Sequence, residues 1–146
     1  MKTLVVLATS VVLGSILFCP MVIAAPPIPS EVQMVQPDIS LPKELSAFWG
    51  KWEGSGFDYG QGKQIQFVLI VKKITDEKAS LFTWHSVHEW SARREASVAK
   101  QGEEYKILYK GQFGTNEMML QGDELVFDAQ RDGQRSWFKL KLKRMP

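Results

Sequence analysis

Between Phe48 and Arg144 the chain is a succession of short runs with strand character, and none of the intervening stretches is long enough for a crossover helix. The runs are F-W-G-K-W-E-G (48–54), Q-I-Q-F-V-L-I-V-K-K-I (64–74), A-S-L-F-T-W-H (79–85) and A-R-R-E-A-S-V (92–98). They continue with E-Y-K-I-L-Y-K (104–110), E-M-M-L-Q (117–121), E-L-V-F-D-A-Q (124–130) and S-W-F-K-L-K-L-K-R (136–144). Successive residues of a strand point to opposite faces, so Phe138, Leu140 and Leu142 share one side of the last run while Lys139, Lys141 and Lys143 share the other. In the first run Phe48, Gly50, Trp52 and Gly54 oppose Trp49, Lys51 and Glu53. Strands that recur roughly every 12 residues without a crossover pair antiparallel with their sequence neighbours. Gly122-Asp123 and Asp132-Gly133 supply two-residue hairpin turns, because glycine accepts positive φ without steric cost. A meander of eight strands removes its exposed edges by closing on itself. The expected fold is all-β, an eight-stranded antiparallel up-and-down barrel. One short N-terminal helical turn precedes it, marked by Leu41, Leu45 and Phe48 at helical spacing.

The N-terminus reads differently. A basic start at Lys2 leads into the apolar run Leu4 to Phe18, and Val22-Ile23-Ala24 places small residues where a signal peptidase requires them. Residues 1–24 are expected to be a signal peptide, with an uncleaved anchor and a lipoprotein through Cys19 as the rivals. Phe18 argues against the lipoprotein, because lipidation needs a small residue before the cysteine. Removing 24 of the 146 residues leaves 122 with no cysteine, so disulfides and thiolate chemistry are excluded from the mature chain. The expected location is secreted, in a bacterial periplasm. Prolines at 26, 27, 29, 37 and 42 make residues 25–43 an extended tether that adds no face to the barrel of residues 44–146. Without Lys2 the chain carries 17 basic and 16 acidic side chains, dispersed along its length, which speaks against a nucleic-acid partner.

Gly50-Lys51-Trp52 resembles the Gly-x-Trp signature of the lipocalins and their calycin relatives, in which an arginine of the last strand commonly stacks on that tryptophan. Arg144 has the parity for it. The closer resemblance is to small bacterial lipocalin-like barrel domains of unassigned role. It rests on Phe48 to Gly54, Lys72-Lys73-Ile74, Ala79 to Trp84, Trp90 and Arg93-Arg94, and it covers residues 48–144. It implies a barrel closed by Trp52 and Arg144. It does not imply retinoid or fatty-acid carriage, since the cysteine pair and C-terminal helix of full-length lipocalins are missing.

Chemistry is sparse. The glycines of G-S-G-F-D-Y-G-Q-G (54–62) run into a strand rather than a helix, so they suit a hairpin loop better than a phosphate cradle. No G-x-S-x-G elbow or H-E-x-x-H helix occurs, and Glu103-Glu104 and Asp123-Glu124 suit solvated turns. W-H-S-V-H-E-W (84–90) holds both histidines. Strand residues three apart face opposite ways, so His85 and His88 share a metal only if the chain leaves the strand between them. The stretch is therefore expected to be a rim with no metal. The expected function is a noncatalytic binding module that holds a small apolar or aromatic ligand in or at the mouth of the barrel, without a cofactor. Trp84, Trp90, Tyr109 and Phe67 are the expected contacts, with Phe57 and Tyr59 as a lid. The alternatives are a solid-core interaction domain of the cell envelope and an enzyme with its site at the barrel mouth.

Overall fold

In a computed structural model the described residues are 28–29, 32–86, 88–111, 114–131 and 136–146, the side chains of 88–93 and 136–137 excepted. The expected signal peptide and the Asp132-Gly133 turn lie outside them. A single helical turn, α1 (Lys43–Ser46), precedes β1 (Gly50–Asp58), β2 (Lys63–Ile74), β3 (Lys78–His85) and β4 (His88–Gln101). β5 (Glu104–Lys110), β6 (Thr115–Gln121), β7 (Glu124–Gln130) and β8 (Ser136–Arg144) complete the chain. Each strand pairs antiparallel with the next, and β1 pairs with β8, so the sheet is a closed barrel.

Alternation accounts for the interior. Trp52, Phe67, Leu69, Val71, Leu81, Ile107, Met118, Leu125, Phe127, Leu140 and Leu142 form one buried cluster drawn from nearly every strand, with Leu45 and Phe48 of the α1 region plugging one end. The connections β2–β3, β4–β5 and β6–β7 lie at that plugged end. The connections β1–β2, β3–β4, β5–β6 and β7–β8 ring the other, which is the mouth.

β1 is longer than its sequence suggested, because the glycines at 54 and 56 belong to the strand and only residues 59–62 turn. These glycines face inward. A Cβ at Gly54 would collide with the Lys141 carbonyl and the Leu142 side chain, and one at Gly56 with the Leu140 side chain. Their bareness lets Leu140 and Leu142 lie across the β1 wall and fill the barrel. Gly54→Val should therefore destabilise the fold by roughly 1–3 kcal/mol through overpacking. The outward Ser55→Ala should change stability by less than about 0.5 kcal/mol. Equal denaturation midpoints for the two variants would contradict this packing.

The proline-rich segment corrects an expectation. Its described residues add a layer to the barrel instead of hanging free. Val68, Ile70, Phe82 and Trp84, the outward residues of β2 and β3, form a second buried cluster against Ile28, Val32, Met34 and Met145. A register shift between Val71 and Lys73 takes Lys72 out of the β2–β3 ladder, and its carbonyl accepts a hydrogen bond from the Val35 amide at 2.8 Å.

Candidate functional site at the barrel mouth

Directly opposed residues of an antiparallel ladder share a face, so the register reads out the innermost row at the mouth. Tyr109 opposes Asn116, Asn116 opposes Ala129 and Ala129 opposes Phe138. Phe67 opposes His85 on the far wall, and Asp58 ends the inward series Trp52, Gly54, Gly56 on β1. Arg94 opposes the inward-facing Leu81 and so turns into the barrel as well.

Aromatic rings make the floor of this site. Phe127 and Phe138 stack with centroids 5.6 Å apart and 13° between planes, Phe67 lies 4.8 Å from Phe127, and Tyr109 lies 6.3 Å from it. The His85 imidazole sits 6.3 Å from both Phe67 and Phe138. Centroid separations of this size are those of favourable aromatic pairs.

Polar groups stand on this floor. Asp58 is 2% exposed, and its Oδ1 accepts hydrogen bonds from the Gly60 and Gln61 amides at 2.8 and 3.0 Å, which fixes the carboxylate and closes the β1–β2 turn. Its Oδ2 is 3.9 Å from His85 Nε2, too long for a direct hydrogen bond. On the opposite wall the Arg94 guanidinium lies 5.6 Å from the centre of the Tyr109 ring, within cation–π range. Burial pushes the Tyr109 phenol up to about 12, with the Arg94 charge pulling the other way. The phenol thus keeps its proton, and its donor capacity, at any physiological pH. Among the described residues no carboxylate forms an ion pair with Arg94; the pairs found are Asp58–His85, Glu117–Lys106 and Glu124–Lys141.

Of the residues expected to contact a ligand, Phe67 and Tyr109 meet at this mouth. Trp84 does not, and its expected place toward the interior or rim is corrected. It opposes Val68 and shares the outer face of β3 with Phe82, beneath the N-terminal segment. Phe57 also faces outward, with its ring 5.2 Å from that of Tyr59, and Tyr59 is 72% exposed in the β1–β2 turn. Trp90 falls within β4, but its side chain is outside the described set. The chain does leave the strand after His85: Ser86 begins a turn, and the backbones of His85 and His88 are register partners across it. Among the described residues no group of three or more His, Cys, Asp or Glu side chains is placed to hold a metal. No described helix is long and apolar enough to cross a membrane.

The closing pair stands at the plugged end. Arg144 opposes Trp52 in register, its Cζ is 4.2 Å from the Trp52 ring centre, and its two terminal nitrogens donate to the Trp49 and Ala47 carbonyls at 2.7 and 2.6 Å. The Trp52 Nε1–H donates to the Phe48 carbonyl at 2.9 Å, which ties the α1 region to the first strand.

Asp58, Arg94, Asn116 and Phe138 were not expected at the site. Continuing the β1 alternation past Gly54 and Gly56 places Asp58 inside, but the glycines had read as a loop. Arg94 shares the inward parity of Ala96 and Val98 and has Leu81 as its partner; the extra β4 residue lies beyond it, where Thr83 meets Ser91. Compared with known proteins, the chain matches no family model, no curated protein and no solved structure at a significant level, so function has to be read from the mouth itself.

Proposed function

We propose that this protein is a secreted, noncatalytic binding module that takes one small aromatic molecule at the mouth of its barrel. The observation that carries this reading is the contrast along the barrel axis. Below the mouth the interior is filled by packed aliphatic and aromatic side chains, whereas the last inward row brings Asp58, His85, Arg94 and Asn116 onto a floor of Phe67, Phe127 and Phe138. Binding sites combine an apolar lining with a few convergent polar groups in this way. Eight strands leave room for one small ligand at most, and the inward reach of Leu140 and Leu142 confines it to the mouth. The likeness to small lipocalin-like domains, the basic and apolar start of the chain and the absence of cysteine from residues 25–146 support an exported carrier or sensor. The filled interior also suits a second reading, a solid barrel that docks a protein of the cell envelope through its outer surface.

Native mass spectrometry of the protein isolated from the organism that makes it separates the two. The expected spectrum contains a one-to-one adduct of small mass, and the adduct is weakened in Phe138→Leu, which retains apolar volume but loses the stacked ring. An adduct-free spectrum, with no small aromatic probe shifting the His85 or Tyr109 resonances, would favour the docking domain.

A further inference from the structure

We propose that the ligand of this mouth is an anion, a small aromatic monocarboxylate, and that Arg94 is the residue that binds its charge. The inference rests on the mouth-site reading and adds its substrate class. Arg94 is drawn into the barrel at the Leu81 level and is half-buried, yet its partner there is the face of a neutral ring and no carboxylate pairs with it among the described residues. A guanidinium taken partly out of water gains by meeting an anion, and its planar fork matches the two oxygens of a carboxylate.

The neighbouring groups agree. Tyr109, protonated throughout the physiological range, offers an O–H on the same wall. Asp58 has one oxygen engaged by two backbone amides and the other 3.9 Å from His85, so it does not pair with Arg94. The mouth edge adds Lys63 at the start of β2, Lys110 at the end of β5 and Arg131 just beyond β7, all exposed, a field that draws anions inward. Asp58 also limits the ligand's charge. A dianion such as a phosphate monoester would be repelled by the buried carboxylate in the same row, whereas a single delocalised negative charge is tolerated. The half-buried Phe138 ring, backed by Phe127, supplies the flat surface against which the ligand's own ring lies.

The test uses two probes of matched shape, 2-naphthoate and 2-naphthalenemethanol, titrated calorimetrically into the full chain and its Arg94→Gln and Arg94→Lys variants. Thermal melts confirm that each variant is folded. The parent protein should bind the carboxylate about tenfold or more tighter than the alcohol. Arg94→Gln should abolish that preference by weakening the carboxylate far more than the alcohol, and Arg94→Lys should recover part of it. Equal affinity of the parent for both probes would overturn the anion assignment and leave an aromatic site standing. A preference that survives Arg94→Gln would equally remove Arg94 from the role. If neither probe binds the parent, the mouth-site reading fails together with this one.

Discussion

Trp52→Ala should cost the barrel about 3–5 kcal/mol, because it empties the most crowded point of the plugged end. Trp52 is among the largest fully buried side chains, and three kinds of contact meet on it. Its ring packs in the main core, its face receives the Arg144 guanidinium at 4.2 Å, and its indole N–H holds the Phe48 carbonyl. The stacked cation, whose arginine is exposed, contributes about 0.5–1 kcal/mol of the loss. Trp52→Phe should fall between parent and alanine, since it retains a ring for Arg144 but no donor for Phe48. Arg144→Lys should cost less than Trp52→Ala, because an ammonium reaches one carbonyl but not both Ala47 and Trp49 in fork geometry. Denaturant titration ranks the three. A Trp52→Ala midpoint within experimental error of the parent would show that the plugged end is not held this way.

Starting the chain at Leu41 should lower stability by on the order of 2–3 kcal/mol and the melting temperature by about 10 °C. This deletion strips Ile28, Val32 and Met34 from Val68, Ile70, Phe82 and Trp84 and removes the amide that satisfies the Lys72 carbonyl. Burying a large apolar side chain stabilises by roughly 1.5–3 kcal/mol, while releasing the segment returns the backbone entropy spent on ordering it, which is why the net loss is smaller than the sum of the contacts. Two readouts locate the change. The emission of Trp84 should shift to the red as water reaches it, and the bared patch should promote self-association. An unchanged melt with unshifted tryptophan emission would mean that the segment lies on the barrel without stabilising it.

The two faces of the barrel were unequally legible. Strict alternation in Phe138 to Lys143 and the hairpin glycine at 122 were enough to predict eight strands, their order and closure, because each strand's partner is its sequence neighbour. The Trp52–Arg144 pair was implied by the lipocalin resemblance, and parity permitted it. Where both faces of a strand are buried, alternation vanishes: F-V-L-I-V (67–71) contributes Phe67, Leu69 and Val71 to the core and Val68 and Ile70 to the outer cluster. That unbroken run was the sign that something covers β2 from outside, and the prolines of the covering segment masked it by suggesting a free spacer. Trp84 was misplaced for the same reason, since a large ring was assigned to the only apolar layer then in view. Part of the polar mouth escaped because the glycines at 54 and 56 suggest a loop, which leaves Asp58 outside the alternation of β1.

The seam between β1 and β8 has a kinetic meaning as well. Every other pairing in the barrel joins strands that follow one another, so each can form as a local hairpin, whereas Arg144 reaches carbonyls 95 and 97 residues upstream. Contacts that distant require most of the chain's entropy to be surrendered before any return, and they slow folding accordingly. The ribbon of hairpins therefore has to wait for β8: until that strand docks, β1 has an open edge and Trp52 lacks its cation. Closure is thus a late event, and a polypeptide truncated before β8 remains an open sheet with an edge available to any other strand.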